Sequence, residues 1–156
     1  MRDRFELQRI VSAEDARVIH LVNASDAYLQ ALYPPESNHA EPLDVLVGRS
    51  SAFFAGFLGD SAVACGAVKL RDDDGRYGEI KRLFVAEPMR GRGYAKTLMQ
   101  RLEQFALEHG IGTIRLETGT LQPEALELYR RLAYVERGPF GRYRPDPFSV
   151  FMEKTL

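Results

Sequence analysis

The chain has 156 residues, of which 45% are hydrophobic and 28% are charged, and its formal net charge at pH 7 is −1. This length suits one compact domain with its own hydrophobic core and leaves no room for a second. A nearly neutral chain has no overall attraction for nucleic acid, and no apolar run of about 18 residues could cross a membrane. We therefore expect one domain over residues 1–156 that is cytoplasmic and binds neither nucleic acid nor membranes.

The first part of the chain predicts a strand followed by a helix. Residues 5–11 have a strand pattern, and Ser12 opens an N-cap signal for a helix that runs to about Leu32. Pro34 and Pro35 must interrupt this helix, because proline lacks an N–H donor and favours extended backbone. A loop is therefore expected after the helix.

A hairpin follows in the middle of the chain. After a short helical turn at 43–47, the segments 52–58 and 62–70 predict two strands that flank a tight turn. The three aspartates at 72–74 then lead into a strand at 77–86. A solvated turn explains these aspartates better than a metal site does.

The second half predicts two more helices. Apolar residues recur at three-and-four spacing from Ala95 onward, and Gly110 ends this helix. A short strand at 114–118 precedes a second helix, which starts at Pro123 and ends near Ala133. The last two strands are predicted at 134–137 and 149–154. These elements indicate a mixed sheet flanked by helices.

Cysteine and histidine show no metal-binding pattern. The single cysteine, Cys65, lies in an apolar run and has no partner for an internal disulfide, so we expect a small core residue. The three histidines, His20, His39 and His109, are scattered without metal-ligand spacing. We therefore expect no metal.

Residues 90–95, Arg-Gly-Arg-Gly-Tyr-Ala, lie between a predicted strand and a predicted helix. The glycines let the backbone approach a ligand closely, and the arginines add positive charge. The start of the helix offers N–H groups without intrahelical partners, together with the positive end of the helix dipole. This segment therefore predicts a phosphate or pyrophosphate site.

Two other phosphate-binding loops fail at a required glycine. A dinucleotide fingerprint that starts at Gly91 would need glycine where Lys96 stands, although Glu117 lies at a tolerable distance for a ribose contact. A Walker loop would place Arg90 and Ala95 at its two glycine positions. A nucleotide-binding protein is the weaker alternative.

The pattern Arg-x-x-Gly-x-Ala at 90–95 resembles the pyrophosphate loop of the GNAT superfamily of N-acetyltransferases, written Gln/Arg-x-x-Gly-x-Gly/Ala. Upstream, residues 79–88 are similar to the fourth strand of the family and the turn that follows it. Downstream, residues 125–134 are similar to the helix that carries the family's tyrosine. The resemblance is densest over 77–134 and is faint before residue 52.

This resemblance implies an α/β (α+β) fold with a mixed, mostly antiparallel sheet of six or seven strands and about four flanking helices. The central parallel strands, here 77–86 and 114–118, are expected to splay apart. Residues 77–134 would form the acetyl-CoA-binding core, and residues 1–50 would supply helices and a loop on the acceptor side.

The implied activity is transfer of the acetyl group of acetyl-CoA to a primary amine of a small molecule, such as an amino acid or a small peptide, by direct attack. Two other functions are also compatible with the resemblance: that of a non-catalytic acetyl-CoA sensor, and that of an acetyltransferase of protein lysines or N-termini. A homodimer is compatible with the sequence.

The resemblance also assigns the cofactor-binding residues. Backbone groups of the fourth strand would pair with the pantetheine arm, and amides of the loop would bind the pyrophosphate. Gln122 stands where many relatives have asparagine. The residues are Leu83, Phe84, Val85, Arg90, Gly91, Arg92, Gly93, Tyr94, Ala95 and Gln122.

Two residues are candidates for proton transfer. Tyr129 matches the tyrosine that protonates the departing thiolate in many relatives, although a core tyrosine would fit the same pattern. Glu79 is the candidate base. Alternation places Glu79, Lys81 and Leu83 on one face, so Glu79 is equally explained as an ion-pair partner of Lys81.

The acceptor side is less well defined by the sequence. Around the double proline and in the loop before the last strand, polar and aromatic residues suggest a pocket for an acceptor that carries an amine and a carboxylate. The candidates are Glu36, Asn38, His39, Lys81, Arg142 and Tyr143.

Ala133 replaces a glycine that is frequent in the family, so a left-handed helix end there would be strained.

Overall fold

The computed structural model describes residues 4–156, which form one seven-stranded sheet with helices on both faces. The strands are β1 (Phe5–Ile10), β2 (Ser51–Leu58), β3 (Ser61–Arg71), β4 (Tyr77–Val85), β5 (Thr113–Gly119), β6 (Val135–Arg137) and β7 (Ser149–Thr155). The α-helices are α1 (Ala16–Leu32), α2 (Leu43–Leu46), α3 (Tyr94–Glu108) and α4 (Pro123–Arg131), with 3₁₀ turns at Pro35–Ser37 and Glu87–Met89. The predicted elements are therefore confirmed, with ends that shift by about two residues at most except at the start of α1, where the N-cap lies about three residues later than predicted.

The strand order is β1-β2-β3-β4-β5-β7-β6. Every neighbouring pair is antiparallel except β4 and β5, which run parallel. The parallel pair is joined only from Gly78 opposite Ile114 to Ile80 opposite Leu116. Beyond these pairs both strands continue without a common hydrogen bond, so the predicted splay is confirmed.

Helix ends follow the local sequence. Asp15, rather than Ser12, caps α1 by accepting the N–H of Arg17 at 3.1 Å. Pro123 occupies the first turn of α4, where its missing N–H costs nothing. Gly110 takes a left-handed φ of 73° just after α3, which glycine adopts without strain.

The sheet has a hydrophobic cluster on each face. Along β2, Phe53 points to the side of α1 and α2, whereas Phe54 points to the side of α3. Leu102 of α3 and Leu21 of α1 are buried in these two clusters. Alternation along β2 therefore supplies both layers, as expected for a strand buried on both faces.

A bulge in β4 overturns the expected alternation of Glu79, Lys81 and Leu83. The pairing of β3 with β4 shifts between Cys65 and Ala67, and Arg82 has a left-handed φ of 54°. The extra residue rotates the strand, so Leu83 packs into the cluster on the α3 side. Lys81 stays near Glu79 and donates to the carbonyl of His39.

The strained backbone at Arg82 is held by two contacts of its side chain. Its Nε donates to the carbonyl of Glu41, and its Nη1 lies 2.8 Å from Oδ1 of Asp26 on α1. A left-handed non-glycine residue persists only where its surroundings fix it, and such residues cluster at functional sites. The bulge thus ties β4 to the helical layer near the point where β4 leaves β5.

No helix in the described part of the chain combines the length and apolar character needed to span a lipid bilayer.

Directly after α4, the chain adopts the left-handed conformation for which the sequence predicts strain at residue 133. Ala133 has a left-handed φ of 73°, and the N–H of Tyr134 reaches back to the carbonyl of Tyr129 at 2.9 Å. Because glycine adopts this conformation freely, Ala133→Gly should raise the free energy of unfolding by about 1 kcal/mol. Urea unfolding measures the change.

Ala24→Gly is the matched control, because Ala24 is exposed in the middle of α1. The same change there should lower the free energy of unfolding by about 1 kcal/mol. Destabilisation by Ala133→Gly of the same size as in this control would contradict the strain at residue 133.

Candidate active site

The splay between β4 and β5 opens two connected spaces. An outer cleft of about 890 Å³ lies between the end of β4, the loop before α3, and α4. An inner cavity of about 100 Å³ lies between α1, residues 37–40, β4 and β5. Both are lined by Tyr28, Leu83, Phe84, Gln122 and Tyr129. These five residues therefore form the junction between cleft and cavity.

The loop before α3 has the geometry of an anion site. Gly91 and Gly93 have left-handed φ values of 79° and 83°. The N–H of Thr97 makes the first helical bond, to the carbonyl of Gly93 at 3.1 Å, so the amides of residues 94–96 have no acceptor within the helix. Residues 93–96 line the outer cleft. Such free amides at a helix start fit a pyrophosphate.

The loop arginines differ in their surroundings. Nε of Arg90 donates to the carbonyl of Val85 at 3.0 Å, and its guanidinium lies 5.1 Å from the ring centre of Tyr28 and 5.6 Å from that of Phe84. Arg90 lines the outer cleft, whereas Arg92 is exposed and lines neither space. Arg90 is therefore the preorganised cation of the loop.

Tyr94 contributes mainly through its main chain. Its ring stacks on Phe5 of β1, with ring centres 4.0 Å apart. Gly56 makes this possible, because a Cβ there would meet the Phe5 ring. The stack fixes the start of α3 against the sheet, so the amides of the loop are held in place.

The last residues of β4 present an open edge. Leu83, Phe84 and Val85 line the outer cleft and lie beyond the three residue pairs that join β4 to β5. A strand edge without a partner can accept an extended chain by backbone hydrogen bonds. This edge fits the amide-containing arm that the sequence predicts for residues 83–85.

Tyr129 lies at the junction of the two spaces. Its residue is only 6% exposed, yet it lines both the cleft and the cavity. Burial, followed by the nearby Glu117 carboxylate, raises the pKa of Tyr129 above its usual value. The hydroxyl is therefore protonated at neutral pH and can act as a proton donor.

Gln122 is oriented by Tyr33, the residue directly after α1. The hydroxyl of Tyr33 donates to Oε1 of Gln122 at 3.2 Å and accepts the N–H of Leu121 at 3.1 Å. Gly119 permits this approach, because a Cβ there would lie 1.7 Å from the Tyr33 oxygen. The amide nitrogen of Gln122 is thus turned away from Tyr33, at the junction of cleft and cavity.

Glu79 is saturated with donors and does not reach the site. It is fully buried and lines neither space. Its carboxylate accepts the Tyr143 hydroxyl at 2.6 Å, Nη1 of Arg71 at 3.0 Å and the Lys81 ammonium at 3.4 Å. Of the two interpretations of Glu79, this geometry supports the ion-pair role.

Glu117 on β5 is the carboxylate that lines the inner cavity. Oε2 accepts the Ser149 hydroxyl at 2.8 Å. Burial is the main cause that raises the pKa of Glu117 to about 7, and the Ser149 hydrogen bond and the Lys81 charge oppose it. Such a carboxyl group exchanges a proton near neutral pH, as a general base must.

The sequence suggested Glu117 only as a contact for a ribose and did not indicate it as a candidate base. The available signal was its place on β5, the strand that forms the opposite wall of the splay. What could not be read from the sequence is that three donors occupy the buried Glu79 carboxylate while Glu117 lines the inner cavity.

The acceptor-side candidates separate into two groups. Asn38 and His39 line the inner cavity, as does Lys81. Glu36 and Arg142 are exposed and line neither space. Tyr143 lies behind the cavity wall, where its ring meets the His39 ring with centres 5.1 Å apart. The structure therefore does not bring Glu36 or Arg142 to the cavity.

Lys81 has no free donor for a ligand. Its ammonium donates to the carbonyl of His39 at 2.9 Å, to the hydroxyl of Tyr143 at 3.0 Å, and to Glu79. An ammonium has three N–H groups, so these bonds use all of them.

Two segments meet beside the inner cavity on its acceptor side. The Ser37 hydroxyl donates to Oδ2 of Asp146 at 2.8 Å, and the Tyr33 and Phe148 rings meet with centres 6.0 Å apart. The segment after α1 and the loop before β7 are thereby joined across the acceptor side.

Within residues 4–156, no cluster of three or more His, Cys, Asp or Glu side chains could hold a metal ion.

Known proteins resemble this chain in sequence and in fold. The model of the acetyltransferase (GNAT) family matches residues 17–134. The chain belongs to the GNAT acetyltransferase family. It is 42% identical over 139 residues to a protein of Azospirillum brasilense named IAA acetyltransferase, with 89% of this chain and 90% of that protein covered.

Solved structures of the GNAT fold agree. A Klebsiella pneumoniae protein described as an acyl-CoA N-acyltransferase superposes with a TM-score of 0.79 and 34% identity over 97% of each chain. The PaiA N-acetyltransferase of Thermoplasma acidophilum, solved with coenzyme A, superposes with a TM-score of 0.77 at 18% identity, covering 98% of this chain and 99% of that one.

Family membership makes this GNAT protein an acyltransferase. The family uses acetyl-CoA as co-substrate, and the outer cleft with its free loop amides fits that molecule.

The raised pKa of Glu117 predicts a pH-dependent stability. Glu117 loses its proton above about 4.5 in the unfolded chain but above about 7 in the folded protein. The folded state therefore holds the additional proton between these values, and stability falls as pH rises through them. Glu117→Gln removes the titrating carboxyl group, so it should raise the free energy of unfolding by about 3 kcal/mol at pH 8 and by little at pH 4.

Urea unfolding at the two pH values measures this difference, and the same change at the exposed Glu14 is the control. If Glu117→Gln changed the free energy of unfolding equally at pH 4 and pH 8, the pKa of Glu117 would not be raised in the folded protein.

Proposed function

We propose that this protein transfers the acetyl group of acetyl-CoA to a primary amine of a small molecule, with Glu117 as general base and Tyr129 as general acid. One observation carries the proposal. The outer cleft and the inner cavity meet at Tyr129, and Glu117 lies in the wall of the inner cavity. A donor and an acceptor entering from opposite sides would meet between these two residues.

The cofactor would lie in the outer cleft. Amides of residues 91–95 and the guanidinium of Arg90 would bind its pyrophosphate. The open edge of residues 83–85 would pair with its pantetheine arm, and Gln122 would lie beside its reactive end. When bound, acetyl-CoA supplies an activated acetyl thioester.

Glu117 would prepare the amine for attack. A primary amine is mostly protonated near neutral pH and cannot attack a carbonyl carbon until it loses that proton. The Glu117 carboxylate can accept the proton, directly or through one water, because a pKa of about 7 leaves a large charged fraction at pH 7 to 8.

Tyr129 would act at the other end of the reaction. Its raised pKa keeps the hydroxyl protonated, so it can donate that proton to the departing sulfur atom. Because Tyr129 lines both spaces, it can contact the thioester and the acceptor together.

The small volume of the inner cavity supports a small acceptor over a protein lysine. Contacts between Ser37 and Asp146 and between His39 and Tyr143 join the two segments that border the cavity. The inner cavity of about 100 Å³ suits a small amine.

A carboxylate on the acceptor has less support than the sequence suggested. Lys81 uses all of its donors within the protein, and Arg142 is exposed outside the cavity. The proposal is therefore a small primary amine, of which amino acids and small peptides are two examples. The cytoplasmic location and the homodimer stay predictions from the sequence.

A non-catalytic acetyl-CoA sensor would need different residues from those of an enzyme. A sensor needs the cleft but no base, whereas here a buried carboxyl group with a raised pKa is kept at the cavity despite its cost in stability. A thiol-release screen should include amines, a lysine-containing peptide and IAA, the acceptor in the name of the Azospirillum relative. Binding of acetyl-CoA without turnover of any acceptor would favour the sensor.

The two loop arginines give a matched test of cofactor binding. Arg90→Ala should weaken coenzyme A binding about tenfold, because it removes a preorganised charged donor from the cleft. Arg92→Ala should change the affinity less than about twofold, because Arg92 is exposed. Calorimetry with coenzyme A measures both affinities.

Competition with NAD and ATP belongs to the same experiment. If NAD or ATP displaced coenzyme A at equal concentration, or if Arg92→Ala were the more damaging change, the assignment of the cleft would be incorrect.

Side-chain substitutions at the junction test the proton-transfer roles. Glu117→Gln should lower kcat/KM at least about a hundredfold at pH 7.5. It should also remove the acid limb of the pH profile, which is the fall of kcat/KM at low pH as the base becomes protonated. Tyr129→Phe should lower kcat by a similar factor. Neither change should alter the affinity for acetyl-CoA more than about twofold, since neither residue belongs to the loop.

Glu79→Gln is the matched control for the base. It should lower stability, because it leaves Arg71 and Lys81 without their carboxylate, yet the folded enzyme should keep the acid limb. An acid limb that disappears in Glu79→Gln and persists in Glu117→Gln would reverse the assignment.

A further inference from the structure

The environment of Glu117 contains one hydroxyl group that no step of the reaction uses. Ser149 is the first residue of β7 and pairs with Gly119 of β5. Its Oγ lies 2.8 Å from Oε2 of Glu117. The two residues belong to neighbouring strands, and the contact crosses from one strand to the other.

Strand geometry explains why this hydroxyl reaches Glu117. Glu117 lies two positions before Gly119 and therefore points to the same face of the sheet. Diagonal neighbours on paired strands are within reach of a long side chain. Gly119, directly opposite Ser149, has no side chain that could take up the hydroxyl. The serine thus bonds diagonally to the carboxylate.

We propose that Ser149 is a positioning residue for Glu117, whose hydroxyl holds one carboxylate oxygen and leaves the other to the acceptor amine. This inference rests on the proposed role of Glu117 as the base. The hydroxyl also donates to the charged form of the carboxylate, so it favours the state that accepts a proton.

Other groups near Glu117 do not replace this bond. Lys81 and Glu79 face it from β4, but they are bonded to each other and their charges largely cancel. Asp146, in the loop before β7, opposes ionisation of Glu117. Tyr33, Tyr129 and Tyr143 have pKa values raised mainly by burial, so they stay neutral at the pH values where Glu117 titrates.

His39 is the one rival for a titration in this range, because it lines the same cavity. Burial, followed by the charge of Lys81, lowers its pKa below the usual value. Its titration should therefore lie on the acid side of that of Glu117. His39→Gln separates the two.

The test compares Ser149→Ala with Ser149→Thr, which keeps the hydroxyl. Loss of one hydrogen bond to a charged group should raise the pKa of Glu117 by about one unit. The acid limb of kcat/KM should move by the same amount. Activity should fall up to about tenfold below pH 6.5 and change less than about twofold above pH 9, where the carboxylate is charged in either case.

Two readouts are required. Carbon-13 NMR titration of the Glu117 carboxyl group gives its pKa without any substrate, and steady-state kinetics gives the pH profile. Ser149→Thr should match the original protein in both. Ser12→Ala, which deletes an exposed hydroxyl at the start of α1, should also leave both unchanged.

Three results would overturn the inference. In the first, Ser149→Ala leaves the pKa of Glu117 and the acid limb in place. In the second, it lowers activity equally at every pH. In the third, the limb moves with His39→Gln instead.

The outcomes also separate this inference from the proposed function. If Glu117→Gln keeps the acid limb, both the base and its positioning residue are incorrect. If Glu117→Gln loses the limb while Ser149→Ala leaves it unmoved, the base stands and the role of Ser149 is rejected.

Discussion

The separation of β4 from β5 is the constraint on which the rest of the structure depends. The strands share three residue pairs and then part at Ile80 and Leu116. The bulge at Arg82 turns β4 away, and the guanidinium of Arg82 holds that turn against α1. A continuous sheet would have no outer cleft, no open edge at residues 83–85, and no place where cleft and cavity could meet.

Glu79 on β4 and Glu117 on β5 have different hydrogen-bond partners, and this difference suits them to different roles. Glu79 accepts donors from Arg71, Lys81 and Tyr143, so its charge is compensated and inaccessible. Glu117 has a single side-chain donor, Ser149, and lines the cavity. A compensated buried carboxylate stabilises a fold, whereas an incompletely compensated one is held near its own titration point. The second condition suits acid–base chemistry.

The sequence predicts the fold well, because the fold rests on local signals, and a signal of the same kind underlies the expected cofactor loop. Hydrophobic periodicity sets the strands and helices, and Gly91 and Gly93 adopt a left-handed backbone that glycine tolerates without strain. The proton-transfer and acceptor residues are harder. A one-residue bulge reverses the face of Leu83, and bonds with Tyr143 occupy the carboxylate of Glu79 and one donor of Lys81. Such contacts join residues far apart in sequence and leave no local pattern.

A crystal structure with coenzyme A tests the account most directly, because it locates the sulfur atom. We predict the pyrophosphate on the amides of residues 91–95, the pantetheine arm along residues 83–85, and the sulfur within hydrogen-bond distance of the Tyr129 hydroxyl, facing Glu117 across the junction. A sulfur atom outside the junction, or β4 and β5 paired along their full length in the complex, would contradict the account.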